Sequence, residues 1–232
     1  MNDSLGDRIK SNYEDRSRNK LVRRTPVIMR IDGRAFHTLT KGCVKPFDEQ
    51  LSLCMLETAT ELCKQIQGAK LAYVQSDEIS ILITDFDKLE TDAWFDYNIQ
   101  KMCSIAASIA SVKFTQLFGK TAHFDCRVFN IPKEEVCNYF IWRQKDWERN
   151  SLQMLARATF SAKQLHKKGR NEIQDMLDLK GISWLNLDEK WKNGSVIMNN
   201  DIFGWYASFA LPFVNDRNSI DQFLEAKDET NN

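Results

Sequence analysis

Two acidic turns, each following a strand-like run, are the residues of this chain best suited to chemistry. Val27-Ile28-Met29-Arg30-Ile31-Asp32-Gly33 closes a β-branched run on a carboxylate and a glycine. Asp77 follows 45 residues later, in Gln75-Ser76-Asp77-Glu78, between two further apolar runs. Mg²⁺ is a hard cation that takes one or two carboxylates and completes its shell with substrate phosphates. Asp32 and Asp77 suit that role, and the Gly33 carbonyl could add a ligand because no side chain blocks approach. Taken singly, each aspartate reads as a turn or cap residue. Together, at strand ends that converge, they read as a metal site for phosphoryl chemistry. Gly33-Arg34-Ala35-Phe36-His37 form a turn whose N–H groups can cradle phosphate, with Arg34 or His37 adding charge. Glu78 could assist at the metals or be a solvated turn residue.

The elements that must hold these residues follow from periodicity. A strand over 26–32 is followed by a helix over about 47–67, where Leu51, Met55, Thr58, Leu62 and Ile66 recur at helical spacing and Gly68 stops it. Strands near 70–75 and 79–84 flank the Ser76-Asp77-Glu78 turn as a hairpin. A second helix, about 93–118, carries a small-residue face (Ala106, Ala107, Ala110, Ser111), and Phe124–Phe129 reads as a fourth strand. The order is βαββαβ: an α+β fold of the polymerase-palm or ferredoxin-like kind, with an antiparallel sheet and two helices on one face. After Pro132 the chain reads as helical through Trp142 and from Trp147 to Lys168, and again from Asn171 to Leu179. Asn193-Gly194 reads as a hairpin turn into a strand at Ser195–Met198, and Trp205–Leu211 as another strand. Four regions result: a basic arm (1–24), a palm-like core (25–131), a helical elaboration with a short hairpin (132–215) and an acidic tail (216–232).

Composition narrows the classes. The 232 residues are 43% hydrophobic, enough for a full core, and 32 Lys plus Arg balance 32 Asp plus Glu. With no net field, any polyanion must be held by local patches. The six cysteines form no C-x-x-C pair and read as buried thiols of a reduced compartment. The polar Met1–Asn12 segment is no signal peptide and no run has transmembrane length, so a soluble cytoplasmic protein is expected. No G-x-x-x-x-G-K-[ST] is present, which excludes a P-loop NTPase. Lys163, His166, Lys167, Lys168 and Arg170 form a basic stretch at an expected helix end. Such a run can be a solvated face suited to the helix dipole or a grip on nucleic-acid backbone. Trp142, Trp147 and Trp184 read as core residues more readily than as base-stacking platforms.

The ordered segments Arg30–His37, Lys45-Pro46, Gln75–Ser80, Phe124–Val128, Trp142–Asp146, Lys168–Ile173 and Asn193–Ile197 resemble the tRNA-His guanylyltransferase superfamily. The likeness extends to its guanylyltransferase-like branch of 3′–5′ polymerases. It implies that Asp32, Gly33 and Asp77 bind two Mg²⁺ ions, with Asp32 and Asp77 catalytic. It implies that residues 32–37, Ser76 and Asp77 contact the nucleotide, with Arg30, Lys45, Asp48 and Lys101 nearby. ATP or GTP would activate a tRNA 5′-monophosphate, and the 3′-hydroxyl of an incoming nucleotide would then attack it. The family also implies a homotetramer, with tRNA and nucleoside triphosphates as partners and no membrane. Lys167, Lys168 and Arg170 would grip tRNA. Where the eukaryotic enzymes read H-I-N-N-L-Y-N, this chain has Glu148-Arg149-Asn150-Ser151-Leu152-Gln153-Met154. That departure favours templated repair of 5′-truncated tRNA over addition of a single G to tRNA-His. The rival enzyme is a nucleotide cyclase with a similar palm; the rival of another class is a non-catalytic RNA-binding module.

Overall fold

The computed structural model describes residues 4–200, 202–210 and 212–225. The first three residues of the arm, Leu211 at the end of an expected strand, and residues 226–232 of the acidic tail lie outside that set. In chain order the elements are α1 (Ser4–Ile9), β1 (Val27–Gly33), α2 (Phe36–Leu39), α3 (Glu49–Gln65), β2 (Ala69–Gln75), β3 (Glu78–Ile83), α4 (Ile99–Phe118) and β4 (Phe124–Asn130). They continue with α5 (Lys133–Thr159), α6 (Ala162–Leu165), α7 (Arg170–Asp178), α8 (Glu189–Asn193), β5 (Ser195–Asn200), β6 (Gly204–Phe209) and α9 (Asn218–Asp221).

The strands form one antiparallel sheet of order β4-β1-β3-β2-β5-β6. The βαββαβ core is as the pattern indicates, and β5 and β6 extend its sheet beyond β2. Side chains alternate along β1. Val27, Met29 and Ile31 pack with α3 and α4 on one face, whereas Ile28 packs with Val136, Cys137 and Phe140 of α5 on the other. Arg30 and Asp32 share the face of Ile28 and lie beneath the continuation of α5. The sheet is thus apolar on one face throughout, and on the other is apolar at one end and polar at the end that carries the carboxylates.

Local chemistry explains most boundaries. Asp48 caps α3 by accepting from the Leu51 N–H at 2.9 Å, and Asn98 caps α4 by accepting from that of Lys101 at 3.0 Å. Gly119, at φ 74°, closes α4 in the left-handed conformation. The expected helix from Trp147 to Lys168 instead stops at Thr159. Ser161 then opens α6 with a capping box to Gln164, and Lys167 has φ 60°. Lys168 and Arg170 therefore precede or open α7 rather than closing a helix, so the dipole disfavours them there.

Asn193-Gly194 is not a hairpin turn. It ends α8, and Gly194 leads at φ 79° into β5, whose partners are β2 and β6. A Cβ at Gly194 would sit 2.6 Å from Tyr73 Oη. That hydroxyl donates to the Asn193 carbonyl at 2.8 Å, so the glycine permits a close approach of chain to sheet.

Candidate active site

The carboxylates meet because the main chain joins their strands. Asp32 lies opposite Glu78 in the β1–β3 ladder, and the Gly33 N–H donates to the Asp77 carbonyl at 3.0 Å. Ser76 and Asp77 form the two-residue link from β2 to β3, with Ser76 held at φ 48°. A non-glycine residue in that region costs about 1 kcal/mol or more, a strain that concentrates at functional sites. Gly33 is required for packing as well. A Cβ there would fall 2.4 Å from the Phe36 ring, which is wedged between Phe114 and Phe124 at 5.2 and 5.1 Å.

Asp32 and Asp77 open onto a cleft of about 680 Å³ between the sheet end and α5, together with Arg30, Gln75, Ser76 and Glu78. Burial pushes the Asp77 carboxyl up to about 6; the charge of Asp32 adds to the rise and the Ser76 hydroxyl opposes it. Asp32 is likewise raised, by burial first and then by the charges of Glu78 and Asp125. Among the described residues neither aspartate has an ion-pair partner. Arg30 and Arg127 offset only part of the charge on Asp32, and two adjacent carboxylates with no ion-pair partner are a donor set suited to a hard divalent cation. No group of three or more His, Cys, Asp or Glu side chains converges for a metal among the described residues. A cation here would draw the rest of its shell from the Gly33 carbonyl, water or substrate. Arg30 Nε and Gln75 Oε1 are buried in the cleft without hydrogen-bond partners, which marks a place for polar ligand atoms.

Glu78 belongs to the frame of the cleft. Its oxygens accept from Arg143 Nε and a terminal guanidinium nitrogen, both at 2.7 Å, and Ser80 donates at 3.3 Å. Arg143 also reaches Asp146 at 3.1 Å. This bidentate pair ties α5 to the hairpin that carries Asp77. Its partners lie 65 residues apart, so sequence spacing gave no sign of Arg143 as part of the site.

The other expected residues fall into groups. Ala35, Phe36 and His37 keep backbone N–H groups unused by the main chain, whereas those of Gly33 and Arg34 serve Asp77 and His123. The phosphate cradle expected over residues 33–37 thus narrows to 35–37. The Phe36 side chain is core. Lys45 is exposed before α3. Asp48 lines a slot of about 60 Å³ with Phe47, Ser76 and Trp147, beside the main cleft. The N–H groups of Leu51 and Val44 hold its carboxyl below the usual range. Lys101 stands apart. Phe114 of the same helix packs on the Phe36 ring that lies against Gly33, and 13 residues of helix place Lys101 about 20 Å from Phe114 along α4. Lys167, Lys168 and Arg170 are exposed; Lys168 pairs with Glu172 at 2.7 Å and Arg170 with Glu148 at 3.6 Å. Trp147 and Trp184 are buried as expected, but Trp142 is 54% exposed and lines the cleft.

The chain that carries this cleft has close counterparts among known proteins. The model of a family described as tRNAHis guanylyltransferase matches residues 6–132. A bacterial tRNA(His) guanylyltransferase-like protein solved with ATP superposes at TM-score 0.92 and 44% identity, over 97% of this chain and 100% of that one. One solved with GTP superposes at 0.85 and 43%, over 96% and 99%. A probable tRNA(His) guanylyltransferase of Dictyostelium discoideum is 27% identical over 209 residues, 78% of each chain.

Proposed function

From the premise that this chain belongs to the tRNAHis guanylyltransferase family of nucleotidyltransferases, we propose that it extends tRNA 5′ ends in the 3′–5′ direction. Its task is templated repair of 5′-truncated tRNA, it depends on Mg²⁺, and ATP or GTP supplies activation. The observation that carries this reading is the adjacent Asp32–Asp77 pair, without an ion-pair partner, lining a cleft of about 680 Å³. Solved relatives binding ATP and GTP support the nucleotide assignment.

Asp32, Asp77 and the Gly33 carbonyl would hold the two ions, whose positive charge offsets the charge that develops on a phosphate under attack. The amides of residues 35–37 donate to phosphate oxygens. Arg30, Arg34, His37 and Lys45 would supply positive charge to the phosphates, and Ser76 would orient the nucleotide. The slot beside Asp48 and Ser76 receives its base. The 5′-phosphate of the tRNA then lies between the carboxylates and α5, where its attack on ATP or GTP releases pyrophosphate and the 3′-hydroxyl of the next nucleotide displaces the nucleoside monophosphate from the activated end. Lys167, Lys168 and Arg170 grip the tRNA backbone. The assembly is a cytoplasmic homotetramer.

Templating is supported by the segment replacing the eukaryotic motif. Gln153 and Met154, which replace the last two residues of that motif, line the cleft beside the retained Asn150, so the wall itself differs where one tRNA is selected elsewhere in the family. The test is a tRNA lacking its first nucleotide, with the opposing base varied through C, A, G and U. The incorporated nucleotide should follow the base, and Asp32→Ala or Asp77→Ala should abolish addition in a folded protein. Addition of G at one rate whatever the opposing base would instead identify a dedicated guanylyltransferase. Activity of either variant within about tenfold of wild type, only ~1.4 kcal/mol, would remove the metal assignment.

A further inference from the structure

Trp142 projects from α5 into a polar cleft, although Trp147 of the same helix and Trp184 are buried. Large aromatic surface left in water forgoes burial, so exposure at this place calls for an explanation. The indole is also held. The Arg143 guanidinium carbon lies 4.5 Å from its ring centroid, and the Tyr139 ring stands at 67° to it at 5.8 Å. Both holders are themselves fixed on the sheet. Arg143 is clamped to Glu78, and Tyr139 Oη shares a hydrogen bond with Ser80 Oγ at 2.9 Å. Those two partners sit on β3, beside the Asp77 turn. The indole therefore has guanidinium over one face, a phenol ring at its flank and the rest of its surface turned to the cleft.

A rigid aromatic with an open face beside a phosphate-handling site is a stacking platform, because every nucleobase presents a π-face. We propose that Trp142 stacks on the exposed base of the tRNA acceptor end, the one left unpaired opposite the vacant 5′ position. The inference rests on the proposed function and adds the residue that meets the template. Two features favour the RNA base over that of the incoming nucleotide. The slot beside Asp48 and Ser76 is walled by α3, and Trp142 is not among its lining residues. Farther along α5, Arg157 lines the same cleft and makes no ion pair among the described residues, leaving it free for an RNA phosphate. From Trp142 to Arg157 is 15 residues of helix, about 22 Å, whereas a stacked strand rises about 3.4 Å per nucleotide. The wall is long enough for several nucleotides.

The test uses a 5′-truncated tRNA carrying 2-aminopurine opposite the vacant position, whose fluorescence falls on stacking. Wild-type protein should quench it, and Trp142→Phe should keep most of the quenching. Trp142→Ala should lose the quenching and weaken tRNA binding by about tenfold or more, the size of one base–aromatic stack. The KM for nucleoside triphosphate should stay unchanged, with thermal unfolding confirming that both variants fold. Wild-type binding and quenching in Trp142→Ala would overturn the platform. So would a raised KM for nucleotide with unaltered tRNA binding, which would place the incoming base on the indole. A wild-type protein that quenches the probe yet adds no nucleotide supports the platform and removes the functional reading instead.

Discussion

At the scale of single residues, the cleft keeps negative charge where folding alone would not. Asp77 titrates at about 6 in the folded chain, because burial and then the charge of Asp32 oppose its ionisation. An unfolded aspartate releases its proton near pH 3.9, so between about pH 4 and 6 the native state holds a proton that the unfolded state has lost. Stability of the metal-free protein therefore falls as pH rises through that window, and the cost is fully present above it. Asp77→Asn removes the charge and keeps the shape. In chelator at pH 7.5 it should be more stable than wild type by about 1–2 kcal/mol, with addition activity lost. At pH 4 the two melting temperatures should converge. A pH-independent gain, or none, would show that Asp77 is not strained by its charge. The same competition between proton and cation predicts that Mg²⁺ affinity drops as pH falls below about 6.

At the scale of elements, α5 is the wall on which the site depends, and the Glu78–Arg143 pair is its fastening. Both side chains are about nine-tenths buried (9% and 10% exposed), so loss of one partner leaves a buried charge unpaired. Arg143→Met should cost about 3–5 kcal/mol. Adding Glu78→Gln to it should restore part of that loss, giving a non-additive cycle in urea unfolding. Additive losses would mean that the pair contributes nothing as a pair. The fastening also shows what the sequence could and could not disclose. Strands β1 to β3, helix α3 and the end of α4 were legible because period and stop residues such as Gly119 act within a few positions. The acidic turns were legible for the same reason. The start of α4 was not: the helix expected from about 93 begins at Ile99, after a separate short turn over Trp94–Tyr97 that Asn98 closes by capping α4. Arg143 was not, since its partner is 65 residues away. The place of β5 beside β2 was not legible either, because it is set by a pairing across more than 100 residues. Asn193-Gly194 misled because the dipeptide that favours a hairpin turn also serves a helix end. Trp142 misled because helical spacing records a stripe and not whether a neighbour covers it.

At the scale of the whole molecule, zero net charge means that tRNA is held by particular groups rather than by a field. Two of the three cations in the 167–170 stretch already face carboxylates, but exposed ion pairs are worth at most about 1 kcal/mol and a polyanion can displace them. Replacing Lys167, Lys168 and Arg170 with alanine should lower the salt slope of tRNA binding by about 0.9 for each phosphate that is no longer neutralised. An unchanged slope would leave the stretch as a solvated surface. Lys101 poses the larger question, because it lies about 20 Å along α4 from Phe114 and its ammonium rests near Phe95. Within one subunit it cannot reach the cleft. If it serves the nucleotide, the cleft it serves belongs to another copy in the proposed tetramer. Lys101→Ala and Asp77→Ala should then each be inactive alone. Co-assembled at equal amounts, they should recover about a quarter of wild-type activity, since half the clefts keep Asp77 and half of those face an intact Lys101. Wild-type activity in Lys101→Ala would instead remove this lysine from the site. A mixture no more active than the sum of its parts would confine each site to a single subunit.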